Sequence, residues 1–85
     1  MNYIYIVKCS DGTYYTGWTT NPKRRVKEHN AGRGAHYTRH RRPVELVYTE
    51  EHPDRSAAMS REYKIKKLTH AQKEGLAQRY SVQVS

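Results

Sequence analysis

The sequence predicts a small α/β protein of the α+β type, with its elements in the order β-β-α-β-α-α. Three features predict this. Residues 3–7 and 14–19 are short runs rich in Tyr, Ile, Val and Thr, and they flank a turn-forming Asp11-Gly12 pair. Residues 44–49 form a third such run behind Pro43. Asn21-Pro22 and Asp54 each precede a stretch of helical character, where a side-chain acceptor can satisfy the first free backbone N–H groups. A chain of 85 residues holds one core, so a single domain over residues 1–80 is expected, with residues 81–85 a C-terminal tail.

The first two strands read as a hairpin, and its loop length decides what each face carries. A two-residue Asp11-Gly12 turn pairs Ser10 with Thr13. A three-residue loop, Ser10-Asp11-Gly12 with Gly12 left-handed, pairs Cys9 with Thr13 and sets Val7 opposite Tyr15 and Tyr5 opposite Gly17. In that second register Tyr3, Tyr5, Tyr15, Gly17 and Thr19 share one face, and Ile4, Ile6, Thr16 and Trp18 share the other. The Ile face is the expected core side, with Trp18 in it. The opposite face gathers phenol hydroxyls around a glycine that leaves space. In the two-residue register Tyr5 and Tyr15 point to opposite faces.

A helix is expected from Asn21 to about Ala31, stopped by Gly32. Its apolar residues are only Val26 and Ala31, while Arg25 and His29, four apart, share a face and can reach one ligand. Residues 32–42 read as a basic, Gly-containing loop with a helical turn near Tyr37. In the third strand Val44, Leu46 and Tyr48 share a face by alternation. Asp54 can cap a longer helix from about Arg55 to Leu68. On its circumference Glu62 falls between Ala58, Met59 and Ile65 and interrupts the apolar stripe, a position where a charge needs a partner or a metal. Thr69 and Gln72 form a capping-box pattern for a short last helix through about Gln78, weakened by Gly75, with frayed residues beyond.

Phe is absent and eight Tyr with one Trp supply the aromatic area, so the core must be thin and partly built from tyrosine. Cys9 is the only cysteine, which rules out an internal disulfide and the usual structural zinc spacings; it reads as a buried, inert thiol in a reducing compartment. The N-terminus opens on a strand, without a signal-peptide pattern, and no apolar run is long enough to span a bilayer. A cytoplasmic location and no membrane partner are expected. The net charge is +8, and residues 23–42 carry eight Lys or Arg against the single acid Glu28, hence +7 of it. Such a block favours a polyanionic partner, nucleic acid first, because Lys and Arg neutralise phosphates and release condensed counterions.

Tyr3-Ile4-Tyr5, Tyr15-Thr16-Gly17, then Arg25 with His29, then a helical Glu62, resemble in order and spacing the GIY-YIG nuclease family. Each residue alone has a blander use, in sheet packing or on a solvated helix face. The ordered set, covering roughly residues 1–80, is much more specific and looks most like the small bacterial stand-alone members. The resemblance implies a small three-stranded antiparallel sheet flanked by helices, and a nuclease site using one divalent cation, Mg2+ or Mn2+.

It also implies roles position by position. Tyr5 stands where the family places a tyrosine that helps to activate the attacking water, and Tyr15 where a phenol hydrogen-bonds in the site. Gly17 closes the second motif. Arg25 holds the phosphate-binding position, His29 one often filled by His or Tyr, and Glu62 the metal-ligand position. A free phenol has a pKa of about 10, so Tyr5 needs nearby positive charge or a proton acceptor such as His29 to act near neutrality. Either Tyr5 or His29 can be the ultimate base. Arg24, Lys27, Arg33, His36, Tyr37, Arg39, Arg41 and Arg42 suit nucleic-acid backbone binding and base stacking, and His36 can also assist the site. A metal cluster of His29, His36 and His40 lacks a supporting Cys or carboxylate.

The sequence departs from the family name at Tyr3, where Gly stands, and Thr16, where Ile stands; neither removes a catalytic group. An Asn that some members carry about a dozen residues after the metal ligand is replaced by the neighbourhood of Gln72, Lys73 and Glu74. The resulting expectation is a metal-dependent DNA endonuclease, structure- or context-dependent, working in DNA repair or processing. DNA is favoured over RNA as substrate, and specificity is open to supply by a protein partner. The alternative is a noncatalytic DNA- or RNA-binding module that keeps the fold.

Overall fold

The structure of the protein, a computed structural model, describes the backbone of residues 1–84 and the side chains of residues 1–80. Strands β1 (Asn2–Lys8), β2 (Tyr14–Thr19) and β3 (Glu45–His52) form an antiparallel sheet in the order β2-β1-β3. Helices α1 (Pro22–Asn30) and α2 (His36–Arg39) lie between β2 and β3, and α3 (Arg55–Lys66) and α4 (His70–Val84) follow β3.

The hairpin takes the three-residue loop. Cys9 N–H donates to Thr13 O at 2.8 Å, Gly12 has φ 85°, and Tyr5 pairs with Gly17 and Val7 with Tyr15. Left-handed backbone at Gly12 costs little because no Cβ opposes it. The two tyrosines of the motifs therefore share a face.

Both faces of the sheet are cores. Ile4 and Ile6 pack with Ala58 and Ile65 of α3, joined by Trp18, Leu68 and Leu76. Tyr5, Val7, Cys9 and Val44 form the second cluster, joined by Tyr15, Val26 and Leu46. With β1 central and buried on both sides, Tyr5 is as deeply enclosed as Ile4.

The expected common face of Val44, Leu46 and Tyr48 is not observed. Val7 pairs with Leu46 but Ile6 with Tyr48, so Val47 is the extra residue of a β-bulge. Val44 and Leu46 join the Tyr5 side, while Val47 and Tyr48 turn to the Ile side.

The caps form as the sequence reads. Asn21 accepts from Arg24 N–H at 3.2 Å, Asp54 from Ala57 N–H at 2.8 Å, and Thr69 and Gln72 exchange backbone-to-side-chain bonds at 2.9 and 3.2 Å. Helix α4, expected to end near Gln78, continues to Val84. Gly75 costs about 1 kcal/mol of helix propensity relative to Ala, but Leu76 packs on the Ile cluster and Tyr80 meets the Tyr48 ring and accepts from Thr49 Oγ1. Tertiary contact thus carries the helix past Gly75 to Tyr80, and its backbone continues to Val84; the side chains of the expected tail, residues 81–85, lie outside the described residues.

Candidate active site

The site is built on the central strand. Tyr5 projects from β1 over Gly17 of β2, where an added Cβ would lie 2.5 Å from the Tyr5 hydroxyl oxygen. Only a glycine lets the phenol lie there. Its hydroxyl is 2.7 Å from His29 Nε2 and accepts from Arg25 Nε–H at 3.4 Å. Helix α1 supplies both partners from one face, as their four-residue spacing requires.

His29 is fully buried, and its other nitrogen, Nδ1, is 2.7 Å from Thr38 Oγ1 on α2. Thr38 is also fully buried, and its hydroxyl donates to Ala35 O at 3.0 Å. A hydroxyl has one proton. With it engaged at Ala35, Thr38 Oγ1 can accept from His29 Nδ1–H, which leaves Nε2 as an acceptor; the Ala35 N–H, 3.4 Å from the same Nδ1, instead suits the tautomer with the proton on Nε2. In the first tautomer the Tyr5 hydroxyl, already accepting from Arg25, donates its proton to Nε2, and the bonds run from Tyr5 through His29 and Thr38 to Ala35; in the second, Nε2–H donates to Tyr5 Oη.

Burial pushes the Tyr5 phenol up to about 12, against the opposing pull of the Arg25 guanidinium. Burial, reinforced by Arg25, holds His29 below its ordinary value, so the imidazole is neutral at pH 7 and able to accept a proton.

Tyr15 completes an aromatic wall. Its ring meets His29 edge-on at 5.4 Å and stacks on Tyr37 at 5.8 Å, and the Arg41 guanidinium lies 4.0 Å over the Tyr37 ring. Arg25 forms an ion pair with Glu28 at 3.2 Å. Glu62 is 14% exposed in its side chain and pairs with Lys66 at 3.2 Å. Its negative charge reaches the Tyr5 phenol and contributes to raising it.

No group of three or more His, Cys, Asp or Glu gathers for a metal among the described residues. A zinc-type ligand set is thus not found among them, whereas a single carboxylate fits a hard cation that completes its coordination with water and substrate. Glu62 is such a carboxylate: only its Oε1 meets a protein cation among the described residues.

Around this centre the basic residues divide. Arg24, Lys27, Arg33, His36 and Arg39 are exposed. Arg41 is engaged within the fold, donating to Asp11 Oδ2 at 3.1 Å and Tyr37 O at 2.7 Å, and Arg42 donates to Arg39 O at 2.9 Å and Asn30 O at 3.2 Å. Two residues of the site carried no signal in the sequence. Thr38 is one of several hydroxyl residues, and only the fold shows that it holds His29. Gly34 is not at positive φ, yet a Cβ there would overlap His29 Nδ1.

The model of the GIY-YIG catalytic domain matches residues 1–75, and the chain belongs to the GIY-YIG family, a family of nucleases. Such nucleases typically use a divalent metal and act on nucleic acid. Among individual proteins the chain is similar to the UPF0213 proteins. It is 60% identical to one from Halobacterium salinarum, over 89% of this chain and 99% of that one. It is 59% identical to one from Clostridium perfringens, over 86% and 78%. Two solution NMR structures share the fold: a UPF0213 protein of Bacillus halodurans, with TM-score 0.57, 48% identity and coverage of 92% and 84%, and a protein of E. faecalis, with TM-score 0.62, 46% identity and coverage of 95% and 86%. No described helix is long and apolar enough to cross a membrane.

Proposed function

We infer that this chain is a metal-dependent DNA endonuclease that hydrolyses phosphodiester bonds, with specificity set by DNA structure or context and a role in repair or processing. The observation that carries this reading is the Tyr5 hydroxyl held between His29 Nε2 at 2.7 Å and Arg25 Nε at 3.4 Å. The hydroxyl keeps one lone pair beyond these two bonds. As the attacking water gives its proton to Tyr5 Oη, the phenol's own proton moves to His29 Nε2, so Tyr5 stays neutral throughout and His29 becomes the imidazolium. A phenol held near 12 does not have to ionise first.

Arg25, partly exposed, presents the rest of its guanidinium to the nonbridging oxygens of the scissile phosphate. Glu62 would hold the cation, Mg2+ or Mn2+, which when bound supplies Lewis-acid stabilisation of the phosphoryl oxygens and the departing alkoxide. Tyr15 keeps His29 aligned by edge contact and closes one side against water. The lone buried cysteine supports a cytoplasmic setting.

The near-complete burial of Tyr5 favours a second reading, a noncatalytic DNA- or RNA-binding module. It predicts salt-sensitive binding without cleavage. The deciding experiment incubates purified protein with plasmid, single-stranded and branched DNA in Mg2+ or Mn2+, beside Tyr5→Phe, Arg25→Ala and Glu62→Gln. Cleavage by the parent that falls at least about a hundredfold in each variant is expected. Absence of cleavage on every substrate, or cleavage undiminished in all three variants, refutes the enzyme reading.

A further inference from the structure

A second basic feature stands apart from the Tyr5 centre. A surface cavity of about 510 Å³ is lined by Asn30, Arg39, His40, Arg42 and Pro43. No acidic residue is among its lining groups, and three are basic. We propose that this cavity is a second phosphate-binding subsite, which takes a nonscissile phosphate of the nucleic-acid strand engaged at Arg25 and Tyr5. The proposal rests on the nucleic-acid reading above for the source of the phosphate, and on the cavity's own chemistry for the site.

Arg42 is prebuilt for the task. Two of its five N–H donors are fixed on Arg39 O and Asn30 O, which leaves three and immobilises the plane of the fork. Gly32, at φ 81°, makes room for it, since a Cβ there would lie 3.1 Å from Nη1. A guanidinium already ordered loses less freedom when it grips an anion, and its planar fork matches a phosphate edge. The Asn30 side chain is bonded at both ends to the Val44 backbone, at 3.1 and 2.7 Å, so the cavity wall is pinned and its carbonyl oxygen is not left facing an anion. Arg39 is exposed and makes no side-chain hydrogen bond among the described residues. Arg41 provides the contrast: its guanidinium is tied to Asp11 and stacked on Tyr37.

The placement points to a polymer. Asn30 follows His29 and Arg39 follows Thr38, and the His29–Thr38 bond of 2.7 Å joins the two elements. Neighbouring helical residues diverge by about 100°, so Asn30 and Arg39 carry the cavity lining in a different direction from the His29–Thr38 bond while staying next to it in the chain. A strand of linked phosphates can occupy both sides of the junction. A free phosphate can fill only one.

The test measures binding with divalent cations chelated, so it is readable whether or not the protein cleaves. Anisotropy of a short labelled single strand is followed against salt for the parent, Arg39→Ala, Arg42→Lys, and Arg79→Ala on the opposite helical layer as a charge-matched control. Arg39→Ala and Arg42→Lys should each bind roughly three- to tenfold more weakly at low salt, and Arg39→Ala should flatten the log–log salt slope by about 0.7 for one lost phosphate contact. Arg79→Ala should match the parent. In parallel, inorganic phosphate should shift the His40 ring NMR signals in the parent and in Arg25→Ala but not in the Arg39→Ala/Arg42→Lys double variant. Parental affinity and slope in both pocket variants overturn the proposal, as does a His40 ring that ignores phosphate. Phosphate that moves His40 without any Arg39 effect on strand binding assigns the cavity to a free phosphate and overturns the polymer subsite. A protein that fails to cleave DNA but shows both pocket effects refutes the enzyme reading alone.

Discussion

Replacing Thr38 by Val tests the direction of the bonds through His29. Valine keeps the volume of the buried side chain and removes only the hydroxyl that faces Nδ1 at 2.7 Å. Ala35 O keeps its bond from Thr38 N–H at 3.2 Å, so the carbonyl is not orphaned. The imidazole is. Leaving one buried donor unsatisfied costs about 1–3 kcal/mol. The Ala35 N–H, which already lies 3.4 Å from Nδ1 in the parent, is a donor, and without the competing Thr38 hydroxyl it selects the opposite tautomer, with the proton on Nε2. Nε2–H then donates to Tyr5 Oη and can no longer receive its proton. Because the flip gives Nδ1 an N–H donor, stability should fall by no more than that amount in urea unfolding, whereas kcat should fall about 10²- to 10⁴-fold, the usual worth of a positioned acid–base group, with KM nearly unchanged. Thr38→Ser should restore both. Nitrogen NMR of the His29 ring reads the tautomer directly: the proton should sit on Nδ1 in the parent and on Nε2 in Thr38→Val. A parent ring already protonated on Nε2, or a Thr38→Val variant with parental tautomer and kcat, would rule out proton transfer from Tyr5 to His29.

Gly17→Ala drives a methyl to 2.5 Å from the Tyr5 hydroxyl oxygen and 2.6 Å from Cζ in a packed core; overpacking of this kind costs about 1–3 kcal/mol, which chemical denaturation will register together with loss of cleavage. Thr16 Oγ1 is buried without a partner among the described residues, so Thr16→Val should leave cleavage intact and hold or raise stability by about 1 kcal/mol, and a clear loss of stability would contradict that. In acid, His29 should destabilise the fold: its pKa lies below the ordinary 6.5 when folded, so the unfolded chain takes up the proton first. Its contribution is full above about pH 6.5 and is lost as the pH falls through that value toward the lower folded one, whereas Asp11 and Glu50, held below 3.8 and 4.5, act in stronger acid. His29→Gln should remove the decline in stability that begins near pH 6.5 and keep the one at lower pH.

Much of the framework is local and was legible as such. The Asp11-Gly12 loop, the alternation of Tyr5 and Ile4, and the caps at Asn21, Asp54 and Thr69 depend on residues a few positions apart. The i, i+4 pairing of Arg25 with His29 is equally local. What escaped depends on contacts distant in sequence. The Val47 bulge arises where β3 pairs with β1, and it moves Tyr48 away from Val44 and Leu46. The length of α4 follows from Tyr80 meeting Tyr48. Arg41 and Arg42 looked interchangeable as charges, yet one closes the hairpin to the α2 loop and the other lines a cavity. Thr38 and Gly34 acquire meaning only once α2 is folded against His29.

In the mechanism proposed above, a neutral Tyr5 passes a proton to a neutral His29, and the pH dependence of single-turnover DNA cleavage reads that transfer. The rate should fall on the acid side of an apparent pKa below 6.5, as His29 becomes protonated, and should need no ionisation in the phenol range. A rate that keeps climbing tenfold per pH step through the phenol range toward about 12, the value that burial imposes on Tyr5, would show that tyrosinate is the base and contradict the account.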